Sequence, residues 1–485
     1  MGYKIMNKKF LLKAAALMPD LTHQKVTLQD NKVLDQGESV VYDFGDHYVG
    51  TVTIDFGWAG SPQDAPALVK IKFSEIAYEV DEDTTDYNGW ISKGWIQEEL
   101  IHIDALPCKL KLKRRYAFRY VKIEAVALSQ KYSLIINKLT ADTVTSAPEF
   151  VPVVGNTPLE KKIDKIALRT MRECMQYEFE DGPKRDRRLW LGDLRLQAIT
   201  NYCTYKHNDL VKRCLYLFAG TADKNGNISA CVFTKPKVLP DDTYMFDYSL
   251  LFIPTLLDYL NATGDKQTAT ELLPLALKQL ELAKAQFDGD IVRDSDKLGW
   301  CFLDWNLALN KQCGAQAVYI YCAKAAVKLC ERLDKDCKAI KLDIEAKTKA
   351  AIDTFYDKQK GLFVSGADKQ VSYAANIWMC LAHVFGEKER AELLDRLKYY
   401  DGAVKLVTPY AYHHYIQALV ECRKSIDAHD IILSYWGKMA ELGADTFYEL
   451  FNPENPDESP YGSRAANSYC HAWSCTPSYF LRKYF

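Results

Sequence analysis

The hydrophobic period of this 485-residue chain changes near residue 150, and that change constrains the fold more than any other feature. From about residue 36 the apolar residues tend to alternate. SVVYDFG, VGTVTIDFGW, LVKIKFSEIAYEV, KLKLKRRYAFRYVKIEAVAL and YSLIINKLTADTV are rich in Val, Ile, Tyr and Phe and are separated by Gly, Pro, Asp and Asn. Short strands with one buried face produce this pattern, and their spacing predicts a β-sandwich. From Pro158 the period becomes helical: in PLEKKIDKIALRTMRECM, residues Leu159, Ile163, Ile166, Met171 and Cys174 recur mostly at three- and four-residue steps. Similar stripes follow at about 193–206, 209–220, 245–262, 265–287, 313–333, 336–356, 371–384, 387–397, 409–423, 426–441 and 467–482. Roughly twelve helices joined by short loops predict an (α/α)6 toroid; an irregular stack of helical hairpins is the alternative, because no repeat of fixed period is present. The expected division is a β-sandwich over residues 1–152 and the helical barrel over 153–485.

Length and charge bound the function. A chain this long exceeds one ordinary core. Its 62 Lys+Arg against 64 Asp+Glu remove any whole-chain electrostatic case for nucleic acid or an anionic membrane, so a small or neutral partner is expected. The basic run KLKLKRR places Lys109, Lys111 and Lys113 on one solvated strand face rather than in a phosphate site. Most of the 14 cysteines stand singly in apolar helical stretches (Cys174, Cys214, Cys322, Cys330, Cys380), and Cys470 and Cys475 lack a matching Cys/His quartet. A reducing cytoplasm fits them. The opening MGYKIMNKKFLLKAAALM resembles a leader peptide, but Lys13 interrupts its apolar run, no small-residue cleavage site follows, and it is too short to span a bilayer. No nucleotide-binding loop or His/Asp metal pattern calls for a metal or cofactor.

If the helices form a toroid, the loops at one rim should carry the chemistry. Polar and aromatic residues cluster at DGPKRDRRLWLGD (181–193), LPDDTYMFDY (239–248), WCFLDWN (300–306), TPYAYHHY (408–415) and the stretch 443–474. Aromatic faces stack on the C–H face of a sugar while carboxylates take its hydroxyls, so the combination points to carbohydrate.

The first of these stretches resembles the signature of the α-L-rhamnosidases of glycoside hydrolase family 78, Asp-Cys-Pro-x-Arg-Asp/Glu-x-Arg-Leu ending in Trp-x-Gly-Asp. GADTFYE resembles the family's Gly-Ala-x-Thr-x-Trp-Glu, with Tyr448 in place of Trp, and DFGDHYVGTVTIDF with RRYAFRYVKI resembles its accessory β-sandwich. The resemblance implies inverting hydrolysis of a terminal α-L-rhamnose or a related sugar, with Glu449 as general base and Asp186 as general acid. Many family members carry a Glu where a gapless alignment puts Arg187, and the loop here is one residue shorter, so the deletion shifts the acid to Asp186. Asp181 and Asp193 then resemble the carboxylates that hold sugar hydroxyls, with Arg185 fixing one of them. Further candidates for the pocket are Asp304 and Trp305 in FLDW, Asp242 and Tyr244, His471 in NSYCHAWS, and Trp190.

Each candidate has a plainer reading. Asp193 can cap the following helix, Asp304 can cap a helix beside a core Trp, and His471 can be a satisfied core histidine. Three alternatives stay open: another exo-glycosidase; a lyase using Tyr410, His413 or His414 with the arginines at 185–188; and a non-catalytic sugar-binding protein, favoured by Arg187 at the acid position. Family members continue beyond the barrel into another β-sandwich, whereas this sequence stops at PSYFLRKYF. The expectation is either a homo-oligomer covering the bare rim or a pocket opened to longer substrates.

Overall fold

The computed structural model describes residues 7–149 and 151–485. The first six residues of the leader-like stretch lie outside the described residues. The rest of it forms α1 (Lys8–Ala16), which packs on the helical part of the chain and not on the strands. Arg213 Nη1 donates to Ala14 O, and Leu11 fills the space left by Gly220, where a Cβ would stand 2.5 Å from it.

Seven strands follow: β1 (Thr22–Leu34), β2 (Ser39–Gly60), β3 (Ala67–Ser74), β4 (Glu98–Ile103), β5 (Cys108–Lys111), β6 (Tyr116–Ala127) and β7 (Tyr132–Thr145). They pair antiparallel in the order β1-β7-β2-β6-β3-β4, with β5 added to β2. SVVYDFG and VGTVTIDFGW are one strand rather than two. A register shift between Asp43 and Tyr48 interrupts the pairing of β2 with β6, which resumes up to Gly50, and from Gly50 to Gly60 β2 pairs with β7. Val52, Ile54 and Phe56 of β2 therefore share one core with Ile71, Phe118, Ile123 and Leu134. β1 lies upstream of the alternating region because it is an edge strand whose residues are mostly exposed. Lys109, Lys111 and Lys113 are all exposed on one face, as the alternation requires.

The helical part opens on α2 (Pro158–Cys174), started by a capping box in which Thr157 and Glu160 satisfy each other's backbone N–H groups, with Pro158 in the first turn. Then come α3 (Leu191–Cys203), α4 (Asn208–Thr221), α5 (Phe246–Thr263), α6 (Lys266–Ala283), α7 (Gln312–Arg332), α8 (Lys338–Phe355), α9 (Tyr373–Leu381), α10 (Glu387–Lys398), α11 (Pro409–Glu421), α12 (Ser425–Ile431), α13 (Gly437–Glu441) and α14 (Pro477–Lys483), with a π-helical turn at Ile432–Trp436 joining α12 to α13. Burial sorts them into two rings. Every residue of α9 is buried, whereas α8 buries only Lys347, Ala351 and Phe355. The inner helices α3, α5, α7, α9 and α11 pack in sequence, and α14 closes the ring against α2 and α3, giving a six-hairpin barrel. Among the described residues no helix is long and apolar enough to cross a membrane.

The stripe at 467–482 departs from expectation, because only its end, α14, is α-helical. The preceding residues are held in other pairings: Glu449 N–H donates to Ser468 O, His471 N–H to Phe447 O and Ala472 N–H to Asp181 O. Those bonds join the last hairpin to the first and override local helical preference.

Candidate active site

Each inner helix is entered from a loop at the same rim of the barrel. Four of these loops, before α3, α5, α7 and α14, enclose a cavity of about 370 Å³ lined by Asp181, Arg185, Asp186, Trp190, Asp193, Trp305, Glu449 and His471 among others.

The loop before α3 is a closed turn. Asp181 N–H donates to Arg188 O (2.9 Å), while the Asp181 carboxylate accepts from the N–H groups of Asp186 (3.2 Å) and Arg188 (3.1 Å). At its tip Asp186 faces the cavity. Arg187 has a left-handed φ of 62° and points away from it, with Nε donating to Lys184 O and Nη2 to Arg115 O of the β-domain. Of these two neighbours, Asp186 and not Arg187 is thus at the cavity wall. Burial first, then the charge of Asp186, pushes the Asp181 carboxyl above its usual range.

Opposite stands Glu449, 6% exposed. Its partner corrects an expectation: Arg185 fixes neither Asp181 nor Asp193, but donates through Nη2 to Glu449 Oε2 while Nη1 lies 3.7 Å from Asp186 Oδ1. Arg185 is itself held by Ala466 O (2.8 Å) and lies over the Tyr461 ring at 3.9 Å, and the Tyr461 hydroxyl donates to Glu449 Oε1 (2.6 Å). Burial raises the Glu449 carboxyl above the usual glutamate range, and Arg185 and the Tyr461 hydrogen bond pull it back.

Asp193 and His471 supply unused polar atoms. Asp193 lies in the first turn of α3 but caps nothing: its Oδ1 is buried without a hydrogen-bond partner, 3.6 Å from the equally unpartnered Nδ1 of His471. His471 is therefore not a satisfied core histidine. Burial, then the charge of Arg185, depresses its pKa well below the usual histidine value, leaving the ring neutral. Aromatic rings close the cavity around these groups. Trp190 meets Tyr248 edge-on at 6.2 Å, Phe302 stacks on Trp473 at 5.6 Å, and Trp305 meets Phe302 edge-on at 5.5 Å.

Three candidates lie elsewhere. Asp242 and Tyr244 do not line this cavity; Asp241, Thr243 and Met245 do. The segment 241–245 is not helical, and along extended chain alternate residues face one way, so Asp241 and Thr243 face the cavity in place of Asp242 and Tyr244. Asp304 is also absent from the wall. Its carboxylate accepts from the N–H groups of Trp305 (2.9 Å), Val407 (2.9 Å) and Thr408 (3.0 Å) and from the Thr408 hydroxyl (2.7 Å), so it ties the loop before α7 to the start of α11. It is buried and already holds four donors. Asp304→Ala is expected to cost about 2 kcal/mol or more, since it strands buried N–H groups. Thermal and denaturant unfolding check this; a raised KM with unaltered stability would instead make Asp304 a sugar ligand.

The β-domain contributes residues that sequence reasoning missed. Trp90, Ile91, Ser92 and Trp95 line the cavity. Trp90 Nε1 donates to Pro460 O (2.8 Å) and the Tyr87 hydroxyl to Tyr461 O (2.8 Å). At Gly89 a Cβ would come within 2.0 Å of Tyr461 O, so only glycine allows this approach. The signal was NGWISKGW, two Trp and two Gly in an inter-strand loop. Of the expected lyase groups, Tyr410, His413 and His414 are buried in the barrel and do not line the cavity.

A closed six-hairpin barrel with paired carboxylates and aromatic walls in one rim cavity defines a glycosidase of the six-hairpin class. Residues 16–143 match the glycosyl hydrolase family 78 alpha-rhamnosidase N-terminal domain and residues 153–485 the bacterial alpha-L-rhamnosidase 6 hairpin glycosidase domain, so the chain belongs to glycoside hydrolase family 78, the α-L-rhamnosidases. A rhamnosidase from Klebsiella oxytoca, solved with rhamnose bound, is 44% identical over 100% of both chains, with a TM-score of 0.95. Two others share the fold at lower identity. The family 78 rhamnosidase of Bacillus sp. GL1 is 19% identical over 93% of this chain and 47% of its own (TM-score 0.77). The Streptomyces avermitilis α-L-rhamnosidase, complexed with L-rhamnose, is 17% identical over 96% and 44% (TM-score 0.69). A search of curated proteins gave no match.

Proposed function

We propose that this protein is an inverting, exo-acting α-L-rhamnosidase that removes a terminal rhamnose or closely related sugar from a short oligosaccharide or glycoside. The observation that carries the reading is the placement of Asp186 and Glu449 on either side of one buried guanidinium, both facing one cavity. The shared guanidinium keeps the two carboxyls close enough to act on one glycosidic bond, and inversion is taken from the family resemblance.

In this reading Asp186 gives its proton to the glycosidic oxygen as the bond from the anomeric carbon breaks. Glu449 takes a proton from a water whose oxygen adds to that carbon from the opposite face. The products are an inverted free sugar and an alcohol, and solvent returns both carboxyls to their starting states. Asp181, Asp193 and His471 hold hydroxyls. The cavity's size suits one sugar ring, and Phe302, Trp305 and Trp473 offer apolar surface to the methyl group that rhamnose carries in place of a hydroxymethyl. All fourteen cysteines are unpaired, which supports a reducing cytoplasmic setting.

The test is a panel of 4-nitrophenyl glycosides headed by the α-L-rhamnoside, with NMR of the first-formed anomer. Turnover of the rhamnoside with release of the β-anomer is the expected result. Release of the α-anomer would remove inversion, an ultraviolet-absorbing unsaturated product would identify a lyase, and silence with retained sugar binding would identify a binding protein.

A further inference from the structure

Three consecutive residues of the loop before α3 diverge. Asp186 faces the cavity, Arg185 grips Glu449, and Lys184 enters the β-domain, where its amino group donates to Glu79 Oε1 and lies 3.7 Å from Glu75 Oε2. The three side chains of this cluster are no more than 2% exposed. Glu75 reaches a second part of the site as well: its Oε2 accepts from the N–H of Tyr469 (2.7 Å), while Oε1 lies 3.3 Å from His47 Nε2. Tyr469 stands between Ser468, whose carbonyl accepts the Glu449 N–H, and the loop residue His471. Glu79 Oε2 accepts the N–H of Glu75 (2.7 Å), locking the two acids together. One carboxylate pair on the β-domain is thus joined to the Asp186 loop through Lys184 and to the Glu449 segment through Tyr469.

Two buried carboxylates around one ammonium are a poor way to gain stability, because desolvation offsets their attraction and an apolar cluster of the same volume would do as well. What the arrangement supplies is direction. Lys184 satisfies its charge on Glu79 and Glu75, and that contact fixes the turn whose tip is Asp186.

We propose that Glu75 and Glu79 are positioning residues for the catalytic carboxyls, with Glu79 acting through Lys184 to hold Asp186 at the distance that protonates a leaving group. The proposal rests on the rhamnosidase reading of the site. It makes the β-domain part of the catalytic apparatus rather than an appendage.

The test compares wild type and Glu79→Gln on 4-nitrophenyl α-L-rhamnoside, whose phenolate departs without a proton, and on a rhamnosyl disaccharide, whose alkoxide does not. If Glu79 positions the acid, disaccharide kcat/KM falls about 10- to 100-fold, as displacements of an ångström cost, while the nitrophenyl value falls less than about threefold. Glu79→Asp, which keeps the charge, should recover part of the loss. Equal losses on both substrates, or none on either, overturn the proposal and leave a structural ion cluster. Should Glu79→Gln fail to fold, Lys184→Met, which removes the charge and keeps the length, provides the same comparison. A wild type that cleaves neither substrate would instead overturn the rhamnosidase reading.

Discussion

Glu449→Gln is expected to lower kcat about 10³- to 10⁴-fold on every glycoside the enzyme cleaves, whatever the leaving group. The amide keeps the volume and can still meet Arg185 and Tyr461, but it cannot take a proton from water. The loss should be uniform because activation of water is needed equally for a phenolate and for an alkoxide. KM should change little if, as proposed, Glu449 acts on the attacking water and not on the hydroxyls of the ring. The wild-type pH profile carries the same information. Glu449 must be ionised to act, and burial raises its pKa, so activity should fall on the acid side at a pH above the range of an ordinary glutamate. That limb should disappear in the residual activity of Glu449→Gln. A variant that retains more than about a tenth of wild-type kcat would remove Glu449 from the base role, because general-base contributions of that size are below the usual range.

The features legible in sequence were those set by near neighbours. The switch of period from two to about 3.6 separates strands from helices because it records which face of each element is buried. The spacing from Asp181 to Asp193 was legible because the turn is local: Asp181 binds the backbone of Asp186 and Arg188, a few residues away. Register within an extended loop was not legible, and Asp241 with Thr243 replaced Asp242 with Tyr244 for want of one residue of phase. Long-range partners were harder still. Asp304 is spent on Val407 and Thr408, and Trp90 and Trp95 reach the cavity across the domain boundary, with only the Trp- and Gly-rich run NGWISKGW as a local sign. Arg185 shows the same limit from the other side. Its charge marked it as a holder of a carboxylate, but the carboxylate is 264 residues downstream.

Asp186→Asn should produce a loss that depends on the leaving group, in contrast to Glu449→Gln. The amide cannot donate a proton to the departing oxygen. On a rhamnosyl disaccharide, whose alkoxide must be protonated as it leaves, kcat/KM is expected to fall about 10²- to 10⁴-fold. On 4-nitrophenyl α-L-rhamnoside the loss should be smaller by at least about tenfold, because the phenolate is stable without the proton. Arg187→Ala is the necessary companion. Its guanidinium is turned onto Lys184 O and Arg115 O, so its removal loosens the loop without deleting a proton donor. Any loss in that variant should therefore lack the strong leaving-group dependence of Asp186→Asn, and unfolding measurements should register it as well. If Asp186→Asn loses activity equally on both substrates, Asp186 holds the ring rather than the leaving oxygen. The donor would then be sought in Asp181, which burial and the charge of its neighbour already favour in the protonated state. The two outcomes separate two carboxyls that share one turn.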